Sequence, residues 1–368
     1  METLCRLSYW GVHRTLDAAG WEPRSGHSEA APDEVTRRRG RRTNLGAPLA
    51  QAAKLGLAYD MKWTAADIAD QSGKTFVVTG ANSGLGLEAT KALVTHGATV
   101  VAACRNLDAG RICTALPGPG TVDLRRLDLA DLKSVAQFAQ SVVDDYQTID
   151  VLLNNAGVMA LPRGETADGF ERQFGTNHLG HFALTGELLD PLLAAPAARV
   201  VTVSSTAHRM GKMNFDDLMG ERNYQRWSAY GQSKLANLLF TAELQQRFAA
   251  AGAKAIAVAA HPGYSATNLQ SAHAREIGRG IEEKFTAVMN KVLGQSAEMG
   301  VLPELYAAVA PGVAGGEYYG PDGFMESRGH PTLVTPNDRA RDEADAARLW
   351  AESVRLTGVD YAQLDRAV

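Results

Sequence analysis

Tyr230 and Lys234 stand four residues apart in the stretch SAYGQSKLAN. On a helix that spacing puts both side chains on one face. The run LANLLFTAELQQRF that follows has apolar residues every three or four positions, as a helix requires. A free phenol has a pKa near 10 and is a poor proton partner at neutral pH, but a nearby ammonium favours the phenolate. Each unit of lowering corresponds to about 1.4 kcal/mol. The pair therefore suits proton transfer to or from an oxygen, as an alkoxide formed by hydride transfer to a carbonyl demands. The plainer alternative is a surface tyrosine beside a surface lysine.

Upstream, residues 79–86 read TGANSGLG, after the strand-like Thr75–Val78 and before the helix-like Leu85–Val94. Gly80 suits a tight turn, Gly84 lets the backbone approach a pyrophosphate, and Gly86 lets the helix pack close to the strand. The helix N-terminus then offers N–H groups and a positive dipole end to phosphates. Alone such a loop is weak evidence. Here it is joined by NNAG (154–157), GTNHLGHF (175–182), VVTVSS (200–205), YGQSK (230–234) and HPG (261–263).

In this order the motifs resemble the short-chain dehydrogenase/reductase family, from about Met61 to the C-terminus. ACRN after the second strand and GEYYGPDG near the end are similar to its retinol-dehydrogenase-like and protochlorophyllide-reductase-like branch. The resemblance implies a catalytic set of Asn177, Ser205, Tyr230 and Lys234. Ser205 would hold the substrate oxygen, with Ser204 as the alternative. Lys234 would also hold the nicotinamide ribose, and the carbonyl region of Asn177 would hold a water relaying protons to it. The stretch Arg209–Trp227, longer than in many members, could form part of a substrate wall. The resemblance also implies a cofactor site built from Gly80, Asn82, Ser83, Gly84, Leu85 and Gly86, from Asp128 and Leu129, and from Asn155, Ala156 and Gly157. Pro262 and Gly263 would close over the nicotinamide, unless they form only a turn. Asp128 would contact adenine, its rival role being an acid at the start of the helix from Leu132.

Charge argues the choice of cofactor. An NAD site usually ends its second strand in Asp or Glu, which binds the ribose 2′-hydroxyl. Here Cys104 takes that place and Arg105 follows. An arginine can pair with a 2′-phosphate and stack on adenine, so NADP(H) is expected over NAD(H). A solvated arginine at a strand end is the alternative. His178 and His181 have no further ligand-type residues at metal spacing and are read as structural, with no metal inferred.

Strands are expected at Thr75–Thr79, Thr99–Ala103, Val122–Leu127, Val151–Asn154, Val200–Ser204 and Ala255–Ala260. Their unbroken apolar character suggests burial on both faces. Helices are expected at Leu85–His96, Leu132–Tyr146, Gly169–Leu193 and Ala229–Ala250, with Gly97 as a stop. Helical runs near Ile281–Leu293 and Ala297–Val309 should follow, then a strand and turn in GGEYYGPDG and a last helix Asp338–Thr357 ending at Gly358. The alternation predicts an α/β doubly wound parallel sheet, the Rossmann fold, as a single domain over 61–368 with a C-terminal extension. Loops after Ser205 and Gly263 should flank the substrate.

The 368 residues are 45% apolar and 21% charged, with a net charge of −4, so nothing points to a nucleic-acid partner. No apolar run approaches the ~18 residues of a membrane span. Cys5, Cys104 and Cys113 are too few and scattered for a disulfide framework or a zinc site, which suits a cytoplasmic protein. Residues 1–60 contain APDEVTRRRGRR and no sustained apolar period, and read as a disordered tail. A short helix near Leu49–Tyr59 is possible. The natural start is expected at Met61. The partner is a small carbonyl or alcohol, an apolar one by the branch resemblance. Long helices such as Gly169–Leu193 and Ala229–Ala250 could build a homo-oligomer. Two rival readings are a regulator that binds NADPH without chemistry and an interaction protein that uses the basic tail.

Overall fold

The computed structural model describes residues 62–264 and 295–366. The tail 1–60, the short helix near Leu49–Tyr59 and the helix expected at Ile281–Leu293 lie outside them. Eight strands form one sheet: β1 (Thr75–Thr79), β2 (Thr99–Cys104), β3 (Thr121–Arg126), β4 (Val151–Asn154), β5 (Arg199–Val203), β6 (Ile256–Ala260), β7 (Tyr318–Pro321) and β8 (Pro331–Leu333). Their order is β3-β2-β1-β4-β5-β6-β7-β8, parallel from β3 to β7, with β8 antiparallel on the edge. The chain winds outward from β1 to β3, then returns to place β4 on the other side of β1. Ligands bind beyond the strand ends at such a switch point, and both TGANSGLG and NNAG start there.

The longer helices among the described residues are α1 (Gly84–Thr95), α2 (Leu107–Thr114), α3 (Leu132–Asp145), α4 (Gly180–Glu187), α5 (Leu189–Ala194), α6 (Arg226–Ala250), α7 (Leu302–Val309) and α8 (Glu343–Thr357). Strand residues alternate between two apolar layers, so the sequence runs are apolar throughout. Val77, Leu152, Val200 and Ala257 face Phe138, Phe182, Phe240 and Phe248 on one side. Phe76, Val78, Leu153 and Val201 face Ala89, Leu93 and Leu305 on the other.

Local chemistry sets the ends. α1 stops at His96, where Gly97 takes φ +90°, a conformation glycine adopts without steric cost. Asp131 caps α3 by accepting from the N–H groups of Lys133 (3.0 Å) and Ser134 (3.3 Å). Gly358, at φ +75°, ends α8 as expected.

Four expectations are corrected. β3 is not buried on both faces: it is the sheet edge, partly exposed along its length. Gly169–Leu193 is not one helix. It begins at Arg172, passes through a π-turn over Gly175–Leu179, in which the Gly180 N–H bonds to Gly175 O, and breaks again at Leu188 between α4 and α5. Ala297–Val309 splits at Val301 into Ala297–Gly300 and α7, with Pro303 in the first turn of α7. Asp338–Thr357 is a 3₁₀ turn, Asp338–Arg341, followed by α8. Two elements went unread, α2 and β8. α2 is short and half polar, and β8 is three residues long.

The C-terminal extension closes one face of the sheet. Trp350 of α8 packs on Phe182, Phe240 and Tyr361, with centroids 5.0, 6.0 and 4.6 Å away. Trp350→Ala should therefore lower stability by about 3–5 kcal/mol, read as a shift in the urea midpoint; a change within error would show that α8 is dispensable.

Candidate active site

The end of β1 binds the end of β4 through Thr79. Its hydroxyl accepts from the N–H groups of Asn155 (3.0 Å) and Ala156 (2.9 Å), and the Asn155 amide donates to Thr79 O (2.6 Å). The glycine loop lies against this junction. Gly80 takes φ +68°, and a Cβ on Gly86 would collide with Gly80 O and come within 2.6 Å of Asn155 Nδ2. Ser83 precedes α1 but makes no side-chain capping bond. Asn82, Ser83, Gly84 and Leu85 all keep some exposure there.

At the end of β2, Cys104 is buried and interacts with Cys113, whose thiol donates to Ala81 O (3.2 Å). Arg105 is exposed. Asp128 is not the helix cap: that is Asp131, while Asp128 accepts from the Ala130 N–H (3.1 Å) and its own N–H is held by Ser134 Oγ (3.0 Å). Leu129 is buried, with its carbonyl against Gly180.

The four residues of the expected catalytic set meet beyond the ends of β4 and β5. Lys234 is buried and donates to Val203 O (3.0 Å), with Nζ 5.9 Å from the centroid of the Tyr230 ring. Tyr230 is buried and interacts with the Ser205 hydroxyl. Ser205 remains partly exposed at the head of a 3₁₀ turn, whereas Ser204 is buried and donates to Lys234 O (2.8 Å). Asn177, buried in the π-turn, accepts from the Val158 N–H (2.8 Å) and donates to Val158 O (2.9 Å) and Ser233 Oγ (2.9 Å). A Cβ on Gly157 would lie 3.1 Å from Asn177 Oδ1 and 3.5 Å from Lys234 Nζ, so NNAG reaches the centre of the group.

Sequence reasoning missed two members of this arrangement. His181 Nδ1 lies 3.0 Å from Asn177 O, and its Nε2 lies 3.0 Å from Thr79 Oγ1. A carbonyl only accepts, so Nδ1 carries the proton and Nε2 accepts from Thr79. Burial holds His181 neutral by pushing its pKa down to about 4. The ring thus bonds to the Asn177 carbonyl from one turn along the helix. Its spacing of four from Asn177 is the signal that could have found it. For Thr79 the signal is a hydroxyl at the end of a buried strand. His178 bonds instead to Ser353 Oγ of α8 (2.8 Å).

The electrostatics reverse one expectation. Burial pushes the Tyr230 phenol up to about 12, with only the Ser205 hydroxyl working the other way. Burial also brings Lys234 down to about 8. Burial thus outweighs any attraction between the two groups, raising the phenol and lowering the ammonium.

Directly after β6, His261–Gly263 are held by hydrogen bonds. Gly263 takes φ +66° and its N–H donates to His261 Nδ1 (3.2 Å); Gln295 donates to Pro262 O (2.8 Å). Glu326 lies 3.1 Å from His261 Nε2 and 2.6 Å from Arg209 Nη2. Part of Arg209–Trp227 packs inward: Met213 and Leu218 are buried against α6.

The short chain dehydrogenase profile matches residues 74–277. The chain belongs to the short chain dehydrogenase family. Human retinol dehydrogenase 13 is 40% identical over 295 residues, covering 78% of this chain and 86% of that protein. Human retinol dehydrogenase 12 is 38% identical, covering 78% and 88%. Among solved structures, an uncharacterized protein from Mycobacterium paratuberculosis is 44% identical with a TM-score of 0.68, covering 82% of this chain and 99% of that one. A provisionally named NAD(P) dependent gluconate 5-dehydrogenase from Beutenbergia cavernae, solved with NADP at low occupancy, is 25% identical with a TM-score of 0.51, covering 68% and 95%. This short chain dehydrogenase is of the retinol-dehydrogenase-like branch, an oxidoreductase acting on an alcohol/carbonyl pair with a nicotinamide cofactor.

Gly86→Ala forces the loop away from Gly80 O and Asn155. Its affinity for the cofactor should fall at least tenfold by calorimetry, with the thermal unfolding temperature lowered by the crowding; unchanged affinity in the folded variant would detach the loop from cofactor binding.

Proposed function

We propose that this enzyme uses NADP(H) to interconvert an apolar aldehyde or ketone with its alcohol, through Tyr230, Lys234, Ser205 and Asn177. The observation that carries the reading is the burial of Tyr230 and Lys234 together beside Ser205, with Lys234 Nζ next to the Gly157 backbone.

The residues present fit a dinucleotide. The backbone of Gly80 and Gly86 leaves a cradle that side chains would fill, and the first turn of α1 offers uncapped N–H groups to phosphates. Gly84 and Leu85 line the same turn. Asn155, Ala156 and Gly157 would line the adenosine and ribose side, Asp128 and Leu129 the adenine, and Pro262 and Gly263 the nicotinamide. No carboxylate stands at the end of β2, and Arg105 has no ion-pair partner among the described residues, which favours a 2′-phosphate. Bound there, the cofactor supplies or takes the hydride.

The protein handles the proton. At neutral pH Tyr230 is a phenol, able to donate to a carbonyl oxygen that the Ser205 hydroxyl also binds. The Lys234 ammonium supports the charge that forms, and Asn177 fixes Val158 and Ser233 around it. Reduction is therefore the direction for which the groups are charged at neutral pH. It should fade as pH rises through about 8, where Lys234 loses its proton. Oxidation needs the phenol deprotonated and should climb with pH.

The apolar substrate class rests on exposed Met210, Trp227, Phe324 and Met325 on segments bordering the site, and on the names of the retinol dehydrogenase relatives. The Trp227 ring lies 6.3 Å from that of Tyr230. A cytosolic location fits the free thiols of Cys104 and Cys113.

The test is NADPH and NADH oxidation over aliphatic, aromatic and retinoid-like aldehydes and ketones. Turnover should prefer NADPH, fall by about 10²–10⁴-fold in Tyr230→Phe, and shift toward NADH in Arg105→Glu. Activity surviving in Tyr230→Phe would remove the mechanism. Tight NADPH binding without turnover of any compound would remove the catalytic reading.

A further inference from the structure

A buried carboxyl stands behind the lysine. Glu304, in the first turn of α7, has no solvent exposure, and neither of its oxygens has a hydrogen-bond partner among the described residues. A carboxyl so placed is costly to bury. The rest of that face of α7 is apolar, with Leu305, Ala307 and Ala308 in the core layer opposite the one α6 joins.

The direction of α7 decides where Glu304 points. Arg199, the first residue of β5, donates to Ala307 O (3.0 Å) near the end of α7. The last turn of α7 thus lies over the amino end of β5, and its first turn lies toward the carboxyl end. Helical side chains lean toward their own N-terminus, so Glu304 leans to the strand ends, where Lys234 meets Val203 O from the other side of the sheet.

The charges single out one partner. On elements packed against α7 the titratable groups are Arg199 on β5, Tyr318 and Tyr319 on β7, His261 after β6, His330 before β8 and Glu298 in the preceding turn; Tyr306 lies on α7 itself. None is a leading influence on Glu304, whereas the Lys234 ammonium is. Around Lys234 stand Tyr230 on α6, His178 and His181 beyond Asn177, and His208 and Arg209 after Ser205; the charge that supports its ammonium is Glu304. Burial raises Glu304 and lowers Lys234, and each opposes the shift of the other.

We propose that Glu304 is a positioning residue for proton transfer, whose buried carboxylate holds the proton on Lys234 from across the sheet and so sets the pH at which carbonyl reduction is lost. The proposal rests on the catalytic reading above. Without the carboxylate, Lys234 keeps its burial cost and loses its counter-charge, so its proton leaves at lower pH.

The experiment compares wild type with Glu304→Gln, Glu304→Met and Glu304→Asp. The alkaline limb of kcat/KM for NADPH-dependent reduction should move down by about one pH unit in the Gln and Met variants and move less in Asp. The Met variant should also melt lower than wild type, since the buried Lys234 ammonium loses its counter-charge. Alongside, Lys234 is titrated by NMR in cofactor-free protein carrying 13C-labelled lysine, its signal assigned with Lys234→Met. Its midpoint should fall in the same two variants. A side chain that only fills space would change activity at all pH values or the melting temperature, and leave both midpoints in place. Limb and midpoint unmoved in the folded Gln or Met variant would overturn the proposal. If no compound turns over, the catalytic reading fails by itself, and the lysine titration still decides whether Glu304 holds the proton.

Discussion

The site depends on one hydroxyl, that of Thr79, and on what it joins. It accepts from two N–H groups of NNAG and meets His181 Nε2, while its own carbonyl holds the Asn155 amide. Asn155 in turn limits the space at Gly86, and His181 reaches the Asn177 carbonyl. Asn177 then grips Val158 and Ser233, one residue before Lys234. A run of buried and half-buried hydrogen bonds thus links the end of β1, beside the glycine loop, to α6 next to Lys234. Buried networks of this kind are costly when broken at any member, because the orphaned partner keeps its desolvation penalty.

Around that frame, the chemistry is governed by removal of water. Tyr230 and Lys234 are taken out of solvent together, and each is pushed toward its neutral form. Their mutual attraction is weaker than this penalty in the protein alone. In the proposed mechanism this keeps the phenol as the proton donor, while burial brings the lysine down to about 8. The pair is best seen as two groups held near their limits by the fold, with Ser205 and Glu304 setting the balance from opposite sides.

Much of this was legible in the sequence, for reasons that can be located. β1 and β4 matched their expected bounds, because a strand with apolar layers on both faces reads as an unbroken apolar run. The glycine loop and the Tyr230–Lys234 spacing were legible because each is local. β3 misled because Val122 and Leu124 supply an apolar signal while the strand faces solvent at the edge. The continuous helix read into Gly169–Leu193 failed because apolar periodicity does not report which carbonyl a given N–H will choose. The phenol pKa was read from its neighbour along the chain alone, and burial is a property of the whole fold. Glu304 was invisible for the same reason: nothing in VLPELY tells that a glutamate will be buried with no hydrogen-bond partner among the described residues.

The π-turn at Gly175–Leu179 has a consequence for how this chain can change. Such a turn holds one more residue than an α-helix would use for the same advance. Removing one residue there would let the helix regularise with the segments on either side kept in place, so the change falls on the residues of the turn itself. Asn177, inside the turn, would lose the position from which it bonds to Val158 and Ser233. Surface loops in general tolerate gains and losses of single residues, whereas the length of this buried segment is set by the contacts Asn177 makes from inside the turn.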